Sequence, residues 1–229
     1  TNKKISVGII GLGYVGLPLA ILIASKKYTV YGFDNDSRKI DLLKKGKSYL
    51  KSLPNKKISN LKNFSFTSSD KFENIKICNV IIICVPTPLH KDKTPNTDYI
   101  KSAMLLVKKY IKPFTLVILE STSYPGTTND FIFDQLKSKF TIGKNIFVSF
   151  SPERINPGRN ENSLQNIPKV ISGKTKNCLK AVKSFYKNIF SKLHQAPNLE
   201  TAEFSKLLEN IYRAVNIGFI NEMKHIAQK

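Results

Sequence analysis

Apolar and polar positions alternate in blocks along this 229-residue chain. Short apolar runs with many β-branched residues predict strands, and the longer amphipathic stretches between them predict helices. The run Cys78–Val85 is apolar almost throughout, which is typical of a parallel strand covered by helices on both faces. This alternation predicts an α/β fold with a doubly wound, Rossmann-like and mostly parallel sheet. The predicted strands are 5–10, 28–33, 63–67, 78–85, 115–119, 146–150, 169–172 and 193–194.

The stretches between these strands contain the predicted helices and one polar loop. The loop or short excursion covers residues 47–63, which are rich in Lys, Ser and Asn. The predicted helices are 17–25, 37–45, 97–111, a stretch that ends near 139, and 175–190.

A long final helix is predicted to begin at Leu199 and to be still running at Lys229. Pro197 separates it from the rest, so we predict a first domain over 1–197 and the start of a connecting helix over 198–229. The lack of a stop signal also predicts that further chain follows. Its apolar positions share one face, which predicts a homodimer through this helix. That face consists of Phe204, Leu207, Leu208, Ile211, Val215, Gly218 and Phe219.

The opposite side of the final helix carries a narrow polar stripe. Lys206, Asn210 and Arg213 follow one another at spacings of four and three residues. A solvated outer face has the same spacing, so this pattern alone leaves a structural and a functional interpretation open. A lysine and an asparagine one turn apart could hold an oxyanion or a water molecule next to a cofactor.

The first predicted strand runs into a glycine-rich turn with the pattern G-x-G-x-x-G, followed by a predicted helix. In this context Gly11 allows the tight turn, Gly13 lets the backbone approach a pyrophosphate, and Gly16 lets the helix pack closely on the strand. The helix N-terminus presents free N–H groups to the pyrophosphate. The predicted cofactor site also includes the two residues inside the turn, Tyr14 and Val15.

The second predicted strand ends at Asp34, 18 residues after Gly16. A carboxylate there can bind a ribose 2′-hydroxyl and would repel a 2′-phosphate, which favours NAD over NADP. Arg38, which we include in the predicted cofactor site, and Lys39 lie close enough to leave NADP as an alternative.

The composition argues against several classes of function, namely nucleic-acid binding, metal binding and membrane spanning. The net charge is +21, yet the lysines are spread along the whole chain and no aromatic residues interleave with them as a nucleic-acid stacking surface requires. A compositional bias explains the charge more simply, so we predict no nucleic-acid partner. Three cysteines, odd in number and without metal spacing, predict no metal site and a reducing, cytoplasmic setting. No segment reaches the roughly 18 apolar residues of a membrane span.

Polar residues follow three of the predicted strands, where open α/β sheets place their ligands. Thr87 lies between two prolines, and a turn residue would look the same. Glu120–Thr122 could place hydroxyls beside a nicotinamide, whereas helix capping would better fit the later pair Thr127 and Thr128. Ser151–Arg154 places a carboxylate and a guanidinium at a third strand end, where a solvated ion pair is the alternative.

Six stretches together resemble the UDP-glucose/GDP-mannose dehydrogenase family, and especially its UDP-N-acetylhexosamine 6-dehydrogenase branch. They occur in the expected order over the whole chain. They are I-I-G-L-G-Y-V-G-L-P-L-A (9–20), G-F-D (32–34), V-P-T-P (85–88), E-S-T-S-Y-P-G-T-T (120–128), S-P-E-R-I-N-P-G (151–158) and K-L-L-E-N-I-Y-R-A-V-N-I-G-F-I-N-E (206–222).

The resemblance implies oxidation of a nucleotide sugar's C6 alcohol to a carboxylate, with two NAD and a cysteine thioester. By its motifs, Thr122 resembles the threonine beside the nicotinamide, and Glu153 the glutamate that assists thioester hydrolysis. Lys206 and Asn210 resemble the residues that stabilise oxyanions and hold the water. Thr87 resembles a cofactor contact. The substrate-binding set that follows is Glu153, Arg154, Lys206, Asn210 and Arg213.

Two departures limit the resemblance. Pro157 stands where UDP-glucose enzymes carry a second glutamate, which favours an acetamido-sugar substrate over UDP-glucose. The family's G-G-x-C segment with the nucleophilic cysteine is not in this sequence, and neither is the UDP-binding domain. We therefore expect a fragment that binds NAD, takes part in surface polysaccharide synthesis and is inactive by itself. A stand-alone NAD-binding module and a UDP-glucose 6-dehydrogenase fragment remain as alternatives.

Overall fold

The computed structural model describes residues 5–63, 66–153 and 166–228. Eight strands form one sheet in the order β3-β2-β1-β4-β5-β6-β7-β8, and every neighbouring pair is parallel except β6 and β7. This arrangement confirms the predicted doubly wound, mostly parallel sheet. The strands are β1 (Ser6–Ile10), β2 (Thr29–Phe33), β3 (Phe66–Ser69), β4 (Val80–Ile83), β5 (Thr115–Leu119), β6 (Ile146–Phe150), β7 (Lys169–Gly173) and β8 (Leu193–Gln195).

Helices cover the sheet on both faces. The helices are α1 (Gly16–Ser25), α2 (Ser37–Lys44), α3 (Asn55–Ser59), α4 (Asp98–Tyr110), α5 (Asp134–Leu136), α6 (Lys176–Tyr186) and α7 (Leu199–Ala227). The predicted helix that ends near residue 139 is present over residues 127–136, and it contains a π-helical segment, Asn129–Phe133, directly before α5.

The buried strand β4 shows how the sheet divides the core. Val80 and Ile82 pack with one apolar cluster, and Ile81 and Ile83 pack with the other. Each strand residue alternates sides, so a strand with helices on both faces must be apolar at every position. This is why the uninterrupted run in the sequence predicts a central strand.

The order of the strands determines where a ligand can bind. The chain moves outwards from β1 to β2 and β3, then returns to β4 on the other side of β1. At such a reversal the loops after the two central strands diverge and leave a crevice at the carboxyl ends. The glycine turn after β1 and the V-P-T-P segment after β4 both lie at this crevice.

Only the first turns of α7 pack against the sheet. Leu199, Ala202 and Glu203 are buried, and the helix contacts β6 and β7. The rest of the helix projects from the domain, so much of its predicted apolar face is exposed. The exposed apolar residues are Phe204, Leu208, Ile211, Tyr212, Val215, Ile217, Phe219, Ile220, Met223 and Ile226. Among the described residues, no helix combines the length and apolar character needed to cross a membrane.

Candidate active site

A cavity of about 670 Å³ opens at the carboxyl ends of the central strands. The glycine turn and the end of β2 line one part of it. The ends of β4, β5 and β6 line another part, together with one residue of α7. Thus residues that are more than 190 positions apart, such as Gly11 and Lys206, surround one space.

The glycine turn has a geometry that only glycine supports. Gly11 has φ +92°, and a Cβ there would lie 2.6 Å from the carbonyl oxygen of Cys84. A Cβ on Gly16 would lie 1.9 Å from the carbonyl oxygen of Gly11. A Cβ on Gly13 would meet nothing within 4 Å, so this backbone faces open space in the cavity. These three environments match the three tasks of a turn that lets a pyrophosphate approach the start of α1.

Asp34 lies at the end of β2 and is 5% exposed. Its Oδ2 accepts a hydrogen bond from the Leu12 N–H at 2.9 Å, and its Oδ1 accepts one from the Asp36 N–H at 2.9 Å. The Lys39 ammonium lies 3.1 Å from Oδ2. The carboxylate is therefore fixed against the glycine turn, at the wall of the cavity.

Of the two basic residues near Asp34, it is Lys39 that lines the cavity. Arg38, which we predicted in the cofactor site, forms an ion pair with the Asp36 carboxylate, and its side chain is 89% exposed. A helical step of one residue rotates a side chain by about 100°, so neighbours on α2 face different surroundings. Tyr14 and Val15, also predicted, do line the cavity.

The segments after β4 and β5 are joined by side-chain hydrogen bonds. The Thr87 hydroxyl donates to the carbonyl oxygen of Thr122 at 2.7 Å. The Ser121 hydroxyl donates to the carbonyl oxygen of Val85 at 2.7 Å. Both threonines line the cavity, so the structure brings these two predicted residues together at one wall.

The predicted helix-capping role of Thr127 and Thr128 is wrong. The Thr127 hydroxyl donates to the carbonyl oxygen of Tyr124, and the Thr128 hydroxyl donates to the carboxylate of Glu203 at 2.6 Å. The Thr128 side chain makes no capping hydrogen bond to the π-helical turn that follows it. The Glu203 carboxylate on α7 accepts hydrogen bonds from the N–H groups of Gly126 and Thr128, in place of a local cap.

Three charged side chains meet beside the cavity, after β5, after β6 and at the start of β7. Glu120 and Glu153 line it, and the Lys169 ammonium bridges their carboxylates. Glu120 also accepts a hydrogen bond from the Tyr186 hydroxyl. Burial raises the pKa of the Glu120 carboxyl well above its ordinary value, although the charge of Lys169 acts in the opposite direction.

Cys84 lies at the floor of the cavity, directly after β4. Burial raises the pKa of its thiol, and the carboxylate of Glu120 adds to the effect. A thiol with a raised pKa holds little of the nucleophilic thiolate. Cys84 packs against the glycine turn, so closely that a Cβ added to Gly16 would contact the Cβ of Cys84. This position indicates a packing role.

The start of α7 supplies one predicted residue to the cavity. Lys206 lines it, whereas Asn210 and Arg213 lie one and two turns further along the helix. Arg213 lines a separate shallow surface with Tyr212 and Asn216. The structure therefore brings together only the first member of the predicted polar stripe with the residues after β5 and β6.

Arg154 and the rest of its motif up to residue 158 lie outside the described residues. Within the part of the chain that the structure describes, no three His, Cys, Asp or Glu side chains group as metal ligands.

Some residues of the site could not be found from the sequence. Lys39 and Lys169 are two lysines among many in this basic chain, and no motif distinguishes them. Glu203 resembles any acidic residue in the first turns of a helix. One feature of the sequence could have indicated Lys169: it is the first residue of an apolar strand. A charged side chain buried there needs a partner of opposite charge.

Comparisons with known protein families agree with this geometry. The family model for the NAD binding domain of the UDP-glucose/GDP-mannose dehydrogenase family matches residues 4–190. The model for the central domain of the same family matches residues 200–229.

Similar proteins include several UDP-N-acetylhexosamine dehydrogenases. Protein CapL of Staphylococcus aureus is 38% identical over 231 residues, which cover 100% of this chain and 53% of that protein. The UDP-N-acetyl-D-glucosamine 6-dehydrogenase of Pseudomonas aeruginosa is 37% identical, over 96% of this chain and 52% of that protein. The chain thus spans about half the length of these curated relatives.

A solved structure has the same fold. The UDP-D-ManNAc dehydrogenase of Pyrococcus horikoshii superimposes with a TM-score of 0.89 at 32% sequence identity. The superposition covers 95% of this chain and 53% of that one.

Proposed function

Because this chain belongs to the UDP-glucose/GDP-mannose dehydrogenase family, we propose that it is the NAD-binding portion of a UDP-N-acetylhexosamine 6-dehydrogenase. Such an enzyme oxidises the C6 alcohol of the sugar to the uronate for surface polysaccharide synthesis. The observation that carries this proposal is the single cavity that joins the glycine turn to Thr122, Glu153 and Lys206. Relatives named for UDP-N-acetyl-D-glucosamine and UDP-N-acetyl-D-mannosamine support the acetamido-sugar substrate.

The chain has the NAD-binding domain of its family, and its residues fit that cofactor. The open backbone at Gly13 would hold the pyrophosphate, and the Asp34 carboxylate would bind the hydroxyls of the adenosine ribose. Thr87 and Thr122 would then contact the nicotinamide end. When bound, NAD supplies the acceptor for the hydride removed from C6.

The charged groups that line the cavity after β6 and on α7 have distinct proposed tasks. Glu153 would orient the water that hydrolyses a thioester, since its carboxylate can accept a proton at the cavity wall. The Lys206 ammonium would stabilise a developing oxyanion. Asn210 would assist in holding the water, and Arg154 and Arg213 would bind substrate. For the last three residues the support is the resemblance of their motifs alone.

We propose that this chain by itself binds NAD but does not turn over substrate. All three of its cysteines are buried, and burial raises the pKa of Cys78 to about 12 and that of Cys84 as well. Thiols in this state are poor nucleophiles for a thioester. The nucleophile would have to come from chain outside this sequence.

The domain division, the partner and the location also belong to the proposal. We propose an NAD-binding domain over 1–197, a connecting helix over 198–229 and a cytoplasmic enzyme. The exposed apolar face of α7 supports a homodimer, because a contiguous apolar surface of this kind favours burial against a partner. Sedimentation at several concentrations tests the dimer, and a mass that stays monomeric would exclude it.

Two assays test the proposed function. Calorimetry of this chain with NAD and with NADP should show NAD binding and weaker NADP binding. The protein that carries this chain should reduce NAD with UDP-N-acetylhexosamines and not with UDP-glucose. Absence of NAD binding by the chain, or NAD reduction with UDP-glucose alone, would contradict the proposal.

A further inference from the structure

A buried lysine joins the two carboxylates that line the cavity after β5 and β6. Lys169 opens β7, and its side chain is 4% exposed. Its Nζ lies 2.8 Å from Oε2 of Glu120 and 3.1 Å from Oε2 of Glu153. The two carboxylates line the cavity, whereas Lys169 lies behind them. The lysine is therefore placed to act on the cavity only through these neighbours.

The same ammonium also holds the backbone after β6. Its Nζ lies 3.3 Å from the carbonyl oxygen of Pro152. An ammonium group has three N–H bonds, and here three acceptors surround it. Lys169 thus fixes both the main chain and the side chain of the segment Pro152–Glu153.

The surroundings of Lys169 keep it in the charged form. Burial alone would lower its pKa, but the two carboxylates outweigh burial and the pKa lies above its ordinary value. The rings of Tyr186 and Phe190 lie 5.7 Å and 5.4 Å from Nζ and also favour a cation. Tyr186 donates to the other oxygen of Glu120, which orients that carboxylate towards the lysine.

We propose that Lys169 is a positioning residue for Glu153. Its ammonium holds the Glu153 carboxylate aimed along the cavity wall, and Glu120 is the second carboxylate partner of the same ammonium. This inference rests on the proposed function, in which Glu153 acts on a water in this part of the cavity. A buried carboxylate that loses its cationic partner turns towards water, and a carboxylate that is turned away no longer serves as a base at this site.

Two variants separate positioning from simple charge balance. Lys169→Met removes the clamp and leaves two buried carboxylates facing each other. The double variant Lys169→Met/Glu120→Gln removes the lysine together with one of its two carboxyl partners, so Glu153 no longer faces a second buried acid while the clamp stays absent. Lys174→Met is the matched control, because Lys174 follows the same strand but is exposed.

Turnover is measured in the protein that carries this chain, with NAD and a UDP-N-acetylhexosamine. We expect kcat to fall at least tenfold in both Lys169 variants, with the KM for NAD within twofold of the unaltered protein. Lys174→Met should stay within twofold in both constants. Recovery of kcat in the double variant would overturn the proposal, since charge balance would then be the whole role of Lys169.

A spectroscopic measurement does not depend on turnover or on the stability of a lysine variant. In the unaltered chain, a buried ammonium with three acceptors should give a slowly exchanging ¹⁵N–H signal for a lysine side chain. Glu153→Gln should shift that signal, because one of its three acceptors loses its charge. Absence of such a signal, or a signal unaffected by Glu153→Gln, would overturn the proposal.

Calorimetry with NAD distinguishes a failure of the proposed function from a failure of the role assigned to Lys169. A chain that does not bind NAD would contradict the proposed function itself. A Lys169→Met protein that binds NAD and keeps its kcat within twofold would contradict only the role assigned to Lys169.

Discussion

The carboxylate of Glu203 on α7 takes the place of a local helix cap for the turn that begins at Thr128. Its Oε1 accepts hydrogen bonds from the Thr128 N–H at 2.7 Å and from the Thr128 hydroxyl at 2.6 Å. Its Oε2 accepts one from the Gly126 N–H at 2.6 Å. Since Lys206 lies one helical turn after Glu203, this contact sets the rotation of α7 that brings the lysine to the cavity.

Glu203→Ala should lower the stability of the chain. It leaves two buried donors of Thr128 and the half-buried N–H of Gly126 without this acceptor, and each hydrogen bond to a charged group contributes roughly 1.5–3 kcal/mol. We expect the free energy of unfolding to fall by about 3 kcal/mol, measured by urea denaturation. Glu222→Ala, on the exposed part of the same helix, should change it by less than about 0.5 kcal/mol. Equal effects of the two variants would contradict the anchoring role.

Asp34→Ala should weaken NAD binding and relax the discrimination against NADP. The variant removes the acceptor for the ribose hydroxyls and the negative charge that repels a 2′-phosphate. We expect the dissociation constant for NAD to rise roughly tenfold, which corresponds to about 1.4 kcal/mol. Calorimetry measures both cofactors. Asp41→Ala on the exposed side of α2 is the control, and an unchanged NAD affinity in Asp34→Ala would contradict the assignment.

Lys206→Ala should affect turnover much more than NAD affinity. An ammonium that stabilises an oxyanion acts mainly in the transition state, and loss of one such donor lowers kcat by roughly 100-fold or more. The NAD dissociation constant should stay within about threefold. The control is Lys224→Ala, which lies on the exposed part of α7. Turnover that survives Lys206→Ala would show that the lysine belongs to a solvated face.

Glu120→Gln should change how stability depends on pH. The pKa of the Glu120 carboxyl in the folded chain is raised from 4.5 to about 7, first by burial, with Lys169 opposing and Glu153 adding to the shift. Between these two values the folded chain holds a proton that the unfolded chain releases, so this carboxyl makes stability fall as pH rises from about 4.5 to 7. The contribution levels off above pH 7.

Thermal unfolding from pH 4 to pH 8 measures this effect as the difference between the unaltered chain and Glu120→Gln. The unaltered chain should lose stability relative to the variant as pH rises through that window. Tyr186 and Cys84, which also face Glu120, titrate above it, because burial raises the pKa of both. A difference that is constant with pH would contradict the raised pKa.

Much of the cofactor end could be predicted because it is encoded by neighbouring residues. Gly11, Gly13 and Gly16 lie within one turn, and Asp34 ends the strand next to it. The predicted role of each of these residues depends only on its own backbone conformation or on its place at the end of a strand. The proposed catalytic part of the site could be predicted only in part, because Thr122 and Glu153 follow apolar strands whereas Lys169 has no such local context.

The boundaries of some elements could not be predicted either. The helix that follows Thr128 contains a π-helical segment that the sequence does not reveal, and the acceptor for its N-terminal hydrogen bonds, Glu203, lies 75 residues away. Arg38 and Lys39 are equally basic in the sequence. Only the packing of α2 decides which of them faces Asp34.

The sequence by itself determined the alternation of strands and helices, the central buried strands and the glycine turn with its acidic partner. These follow from side-chain periodicity and from local backbone requirements. The tertiary structure decided which charges meet: Lys169 with Glu120 and Glu153, and Glu203 with the turn at Thr128. Such pairs join residues 16 to 75 positions apart. Their energy comes from burial away from water, and burial exists only once the sheet and its helices have assembled.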